Sequence, residues 1–321
     1  MDGLGEGSIA TAHQFAVLLI YGNNCGALER VAFELGTSTR ISAMSQRPDA
    51  GRSVFITGAG GGLGGATARY LAKRNWRVFA ADFDQAALSE LGEEENITPL
   101  VLDVTDQASV DAACAQAAQL CDGLDGIVNF AGILEVGSVI ELDPEQIRRV
   151  LEVNVMGTVR VNHGLFPLVL ARKGRIVNIS SETGWQSAMP FNGVYAMSKH
   201  AIEAYSDALR RELMFLGVPV IKIQPGPFRT AMVSSIERNF TRAAQSSNHF
   251  RSLLEKIGQA TLKEQAKAHP PELLAQVVHT ALSTSRPRIA YSVKPDPQRV
   301  ALNRLPQCAV DALLRVVLGS R

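Results

Sequence analysis

Ser53-Val-Phe-Ile-Thr-Gly-Ala-Gly-Gly-Gly-Leu-Gly-Gly65 empties a short apolar, β-prone run into a cluster of glycines. Ala66-Thr-Ala-Arg-Tyr-Leu-Ala-Lys-Arg74 then continues with residues that favour a helix. Strand, glycine turn and helix in that order form a cradle for a pyrophosphate. Glycines let the backbone approach phosphate oxygens without a Cβ in the way, and the helix start presents free N–H groups and the positive end of its dipole.

Outward from this turn, short apolar runs alternate with longer helical stretches, the pattern of a parallel sheet covered on both faces. Strands are predicted near 53–57, 77–81, 98–102, 126–130, 174–180, 218–224 and 288–293. Asp143-Pro-Glu-Gln146 is a good helix opening, since Asp caps and Pro suits the first turn. Seven strands with right-handed crossovers give an α/β fold, a single doubly wound Rossmann domain whose ligands sit at the carboxyl ends of the strands. Residues 230–270 interrupt the rhythm. In the tail, 297–321, Leu302, Leu305, Val310, Leu313, Leu314 and Val317 make a helical apolar stripe expected to pack on the body.

Tyr195 and Lys199 stand one helical turn apart and share a face. An ammonium beside a phenol stabilises the phenolate, so the pair is expected to bring the tyrosine toward a working proton-shuttle range. Ser181 lies upstream in Ile179-Ser-Ser-Glu-Thr-Gly184. Asp82 closes the second predicted strand roughly 20 residues past the glycine turn, where a carboxylate can accept hydrogen bonds from ribose hydroxyls and would repel a 2′-phosphate.

Thr57-Gly58-x-x-x-Gly62-Leu63-Gly64, Asn129-Phe-Ala-Gly132, Asn154, Ser181, Tyr195-x-x-x-Lys199 and Pro225-Gly226, in that order, resemble the short-chain dehydrogenase/reductase family over about 51–293. Glu203–Leu213 and Gly217–Pro225 are similar to its retinol and hydroxysteroid dehydrogenase branch. The resemblance implies hydride transfer between a carbinol carbon and a nicotinamide. Tyr195 would shuttle the proton, Lys199 assist it and hold the nicotinamide ribose, Ser181 orient the oxygen, and Asn154 support the relay from a local backbone distortion. Thr57, Gly58, Gly62, Leu63, Gly64, Asp82, Asp103, Val104, Asn129, Ala131, Gly132, Pro225, Gly226 and Thr230 would hold the cofactor, with Asp103 and Val104 beside the adenine. Asp103 and Val104 also read as a helix cap and a core residue, Asn154 as a buried structural amide, and Pro225-Gly226 as a plain turn. In family members that prefer NADP a basic residue often stands where this chain has Gly61, so NAD is expected over NADP. The 230–270 segment falls where relatives carry a substrate lid.

Trp185, Met189 and Phe191 lie between Ser181 and Tyr195, so at least one is expected to line the pocket and to favour a hydrophobic secondary alcohol or ketone, steroid-like or retinoid-like. Two other readings stand beside this one: a 3-hydroxyacyl or hydroxybutyrate-type dehydrogenase, and a dinucleotide-binding regulatory protein without turnover.

A chain of 321 residues, 46% hydrophobic and 20% charged, can bury a sizeable core. Its net charge of +1 gives no support for nucleic acid as a partner. The six histidines form no ligand-spaced cluster and the four cysteines no CxxC pair, so no metal is implied and thiols in a reducing cytoplasm are expected. His200 reads as an ordinary helix residue. Phe15–Tyr21 is too short to span a bilayer, with no basic residue before it to suggest a secretory signal. Residues 1–50 read as a disordered extension or an overlong start ahead of Met44; Val31–Ser38 has helix-turn-helix spacing but too little chain around it for that domain. The expected assembly is a homodimer or homotetramer.

Overall fold

The computed structural model describes residues 51–265 and 268–319, so the readings of residues 1–50 lie outside it. The strands are β1 (Ser53–Thr57), β2 (Arg77–Asp82), β3 (Ile97–Val101), β4 (Gly126–Asn129), β5 (Arg175–Ile179), β6 (Val220–Pro225) and β7 (Ala290–Val293). They form one parallel sheet in the order β3-β2-β1-β4-β5-β6-β7. The expected seven-stranded sheet is therefore present. β6 starts after Pro219, which has no N–H to give to the ladder. β1 lies between β2 and β4, so the chain leaves its centre in opposite directions and opens a crevice at the carboxyl ends of β1 and β4.

Side chains alternate along each strand and feed two cores. Val54 and Ile56 of β1 face one side with Val128, Val177 and Ile221, covered by α1 (Gly62–Ala72) and α9 (Pro271–Ser283) through Leu71, Leu274 and Val278. Phe55, Phe79, Ile127 and Ile176 face the other, against α3 (Gln107–Leu120) and α5 (Gly157–Arg172) through Val110, Val161 and Leu165. α2 (Gln85–Gly92) starts at Asp84, which accepts from the N–H groups of Ala86 and Ala87.

α4 (Pro144–Leu151) opens as its sequence predicts. Asp143 Oδ1 accepts from Glu145 N at 2.9 Å while Asp143 N donates to Gln146 Oε1 at 3.2 Å. Between α4 and α5 the chain makes a π-helical turn, Glu152–Met156, with Asn154 inside it. The long α6 (Gly193–Leu213) carries Tyr195 and Lys199.

The 230–270 segment contains α7 (Ala231–Ser246) and α8 (Arg251–Gln265). Ile236, Phe240, Ala243 and Leu254 make a small separate core with Val136, which Phe191 and Phe250 join. The tail forms α10 (Pro297–Leu302) and α11 (Gln307–Leu318). Its stripe differs from expectation: no residue of either helix is fully buried, and Leu302, Leu305, Leu313, Leu314 and Val317 line the crevice instead of packing into the body. The stripe is only partly covered, so the periodicity identified the helix but not the surface it would meet.

Candidate active site

At the carboxyl edge of the sheet lies a cleft of about 1920 Å³, ample for a dinucleotide with a second small molecule beside it. Its inner end is made from backbone. Gly58 has φ +66°, and a Cβ there would come within 2.6 Å of Ala131 N. A Cβ on Gly64 would strike the carbonyl of Gly58. These two positions hold the turn close to the strand below. α1 begins at Gly61 with no side-chain cap and no acidic residue in its first turn. Its first N–H groups are thus set for an anion, and the glycines leave room for one. Thr230 closes over this turn, near enough that a Cβ on Gly62 would come within 3.1 Å of the threonine Cβ.

Asp82 sits at the end of β2 beside the turn. Its Oδ2 accepts from Gly60 N at 2.9 Å and its Oδ1 from Asp84 N at 3.1 Å. The next residues, Phe83 and Asp84, bring no positive charge. Asp103 is exposed and accepts from Thr105 N and Thr105 Oγ1 through Oδ1, while Asp106 caps α3. Val104 is buried against Gly157. Both Asp103 and Val104 line the cleft, as do Gly58, Gly62, Leu63, Gly64, Asp82, Ala131, Gly132, Asn154's neighbour Val153, Pro225, Gly226 and Thr230.

Thr57 and Asn129 are placed differently, behind the wall. Thr57 Oγ1 accepts from Ala131 N at 3.2 Å. Asn129 Nδ2 donates to Asn162 Oδ1 at 2.8 Å and Asn178 Oδ1 at 2.9 Å. Asn178 in turn donates to Ser206 Oγ, so four elements are stitched beneath the site by buried side chains. These two residues shape the floor and do not face the cleft.

The π turn aims Asn154 at the same floor. Its Oδ1 accepts from Ile133 N at 2.7 Å, and its Nδ2 donates to Ile133 O and to Ser198 Oγ, each at 3.0 Å. Ser198 Oγ donates to Tyr195 O at 2.8 Å. Asn154 thus ties the loop after β4 to the turn of α6 that carries the tyrosine and the lysine. The distortion expected at this residue is present as the π turn.

Ser181 ends the loop after β5, and its Oγ accepts from Thr183 N at 3.2 Å, starting a 3₁₀ turn over Glu182–Gly184. Ser180 stays beneath, against the Lys199 backbone. Lys199 is buried, with Nζ donating to Ile179 O at 2.9 Å and lying 5.6 Å from the centre of the Tyr195 ring. Ser181, Tyr195 and Lys199 all line the cleft.

The electrostatics differ from the sequence-based expectation. Burial pushes the Tyr195 phenol up to about 12, a hydrogen bond with Ser181 opposes the rise, and the Glu182 carboxylate adds to it. Burial pulls the Lys199 ammonium down to about 8, against a pull upward from Glu203. Desolvation thus dominates the phenol, while the ammonium bonds a main-chain carbonyl.

Sequence reasoning missed several groups. Lys222 on β6 is buried between Glu203 Oε2 at 2.8 Å and Asp207 Oδ1 at 2.9 Å, with Gln224 Nε2 also on Glu203. A lysine within the apolar run Val220–Pro225 was the available signal, since a buried charge needs partners. Glu182 is buried beside Ser181, and no local pattern announces it. Of the three large residues in the loop before Tyr195, Met189 lines the cleft, whereas Phe191 joins the core under α7 and α8, its ring 5.5 Å from that of Phe250. His200 is an exposed helix residue bonded to Ala196 O.

A nucleotide cradle, a serine, and a tyrosine and lysine one turn apart on a doubly wound sheet define the class, and residues 52–240 match the family model described as short chain dehydrogenase. The chain belongs to the short-chain dehydrogenase family, an oxidoreductase family using nicotinamide cofactors, in its retinol and hydroxysteroid dehydrogenase branch. It is 34% identical over 282 residues to 17-beta-hydroxysteroid dehydrogenase type 6 of Rattus norvegicus, covering 82% of this chain and 87% of that one. Retinol dehydrogenase 16 of Homo sapiens is 35% identical over 280 residues, 81% of this chain and 87% of its own. The crystal structure of a short-chain dehydrogenase from Streptomyces avermitilis superposes with a TM-score of 0.68 at 25% identity, covering 83% of this chain and 96% of the other. Among the described residues no helix is long and apolar enough to cross a membrane.

Proposed function

We propose that this dehydrogenase interconverts a hydrophobic alcohol and its carbonyl compound with NAD, a secondary alcohol and ketone for a steroid-like substrate or a primary alcohol and aldehyde for a retinoid-like one, using Tyr195 as the general acid and base. The observation that carries the reading is the cleft itself. Ser181, Tyr195 and Lys199 share one cleft with the glycine cradle and with a chamber wall of apolar groups such as Leu134, Met189, Phe240, Ile257, Leu302 and Leu314. Such walls suit a large apolar substrate better than a small hydroxy acid. The names of the related dehydrogenases support the same class.

The glycine turn, Asp82 and Lys199 would hold a nicotinamide dinucleotide, which would supply the hydride acceptor or donor for the carbinol carbon. Ser181 Oγ holds the substrate oxygen. Tyr195 accepts the hydroxyl proton in oxidation and gives it back in reduction. Lys199 places a positive charge near the developing phenolate, and Asn154 keeps that turn of α6 in register through Ser198. Asp82, with no basic neighbour at Gly61, Phe83 or Asp84, favours unphosphorylated ribose and so NAD over NADP. α7 and α8 serve as the lid over the chamber.

The test is a screen of the purified protein against primary and secondary alcohols and their carbonyl compounds with NAD and NADP. Turnover of bulky apolar alcohols with NAD is expected. Because the phenol is held high, it is protonated at neutral pH and must lose its proton to act as a base. Oxidation kcat/KM should therefore climb as pH rises from about 6 to about 8 and flatten above that as Lys199 loses its charge, while reduction, for which the phenol stays protonated, changes little over the same range. Oxidation that declines over that range, or turnover restricted to small hydroxy acids, would overturn the reading.

A further inference from the structure

Glu182 is buried, follows Ser181 directly, and adds negative charge next to the reacting phenol. A carboxylate withdrawn from water is costly unless both oxygens are engaged. Both turn toward the tail. Oε2 accepts from Asp296 N at 2.7 Å, and Oε1 lies 3.6 Å from Arg299 Nη1. Asp296 Oδ1 then accepts from Gln298 N and Arg299 N, so the backbone held by Glu182 is the one that starts α10. Further along the same catalytic loop, Ser187 N donates to Asn303 Oδ1 at 2.9 Å at the far end of that helix. On the opposite side a Cβ on Gly226 would collide with the carbonyl of Lys294, so the segment is also pressed against the turn after β6.

α10 is six residues long and has no fully buried side chain. Apolar packing alone therefore holds it weakly, and these polar bonds fix where it lies. Arg299, Ala301 and Leu302 of this segment line the cleft.

We propose that Glu182 is a positioning residue whose carboxylate clamps residues 294–303 onto the loop between Ser181 and Tyr195, and so sets the outer wall of the substrate cleft. The proposal rests on reading that cleft as the substrate's. It differs from a purely catalytic role for Glu182, which would leave the tail unaffected by its loss. It makes the fit of a bulky substrate depend on a residue at the reaction centre.

The full chain with NAD present would be followed by amide hydrogen exchange and by kcat/KM on decan-2-ol and butan-2-ol. In Glu182→Ala the amides of residues 296–303 should exchange roughly tenfold faster or more, the scale of a lost hydrogen bond to a charged group. Glu182→Gln, which keeps an acceptor for Asp296 N but not the charge facing Arg299, should lie between that variant and the unmodified chain. Asn303→Ala frees the other end of α10 and should also speed exchange there; it and Glu182→Gln decide the matter if Glu182→Ala does not fold. The ratio of kcat/KM on the long alcohol to that on the short one should fall about tenfold in Glu182→Ala, mainly through KM. Unchanged exchange in 296–303, or faster exchange with an unmoved ratio, would overturn the proposal. Failure of the unmodified protein to oxidise any hydrophobic alcohol would count against the proposed function, while exchange would still decide whether the clamp exists.

Discussion

Around β1 the cleft is built from main chain packed on main chain: Gly58 lies against Phe130 and Ala131, and Gly64 against Gly58 and Ala59, with no space for a Cβ. After β5 and along β6 the contacts run through side chains, with Lys222 held by Glu203 and Asp207 away from the cleft wall, and Glu182, on that wall, reaching across to Asp296 and Arg299. The first region recognises what every dinucleotide has in common, phosphate and ribose, and backbone geometry suffices for that. The second carries, on the proposed reading, the wall that meets the substrate, and the place of that wall follows from Glu182 finding Asp296 and Arg299. One half can therefore be fixed by a few glycines, while the other depends on residues distant in sequence.

The largest effect should come where the two halves meet. Tyr195→Phe removes the hydroxyl proposed to move the proton, and kcat should fall by about 10²- to 10⁴-fold with NAD affinity, measured by titration, nearly intact. Retained turnover would separate chemistry from the glycine half altogether. Next, Lys222→Leu leaves the partly buried Glu203 with only Gln224 to bond it, and should lower unfolding free energy by about 1–2 kcal/mol in urea titrations. A neutral outcome would mean that the side-chain half is held by packing and not by charge.

Gly58→Ala probes the main-chain half. A left-handed residue with a Cβ costs about 1–2 kcal/mol before its contact with Ala131 is counted, so both NAD affinity and thermal midpoint should drop. Asp82→Asn should move the ratio of NAD to NADP kcat/KM by about tenfold toward NADP while leaving stability within about 1 kcal/mol. An unmodified protein that prefers NADP would remove Asp82 from the cofactor reading.

The same division explains what could be read from the chain. Ser53–Thr57 followed by glycines is a local pattern, and so is Asp143-Pro-Glu-Gln146; both gave elements close to those observed. Tyr195 and Lys199 are also local, separated by one turn. The pair's proton affinities were not legible, because burial depends on elements far along the chain, and burial outweighs the four-residue spacing. Glu182 and Arg299 were invisible for a related reason. They lie more than a hundred positions apart, and nothing in the sequence near either marks it as the other's partner. The tail showed its helix by periodicity, yet the surface its stripe faces is a cleft and not a core, a distinction that apolar spacing does not encode.

The π turn at Glu152–Met156 stores an extra residue in an otherwise continuous helix. Each residue in an α-helix advances the side-chain direction by about 100°. If Val155 were deleted and the turn healed into regular α-helix, α5 would be turned relative to α4 by that angle, or Asn154 would be. Asn154 could then keep its grip on Ile133 and Ser198 only at the expense of Asn162, two turns further on, losing Asn129. The bulge thus works as a phase adjuster, letting a single rod of helix present one amide to the turn that carries Tyr195 and Lys199 and another to the floor beneath it.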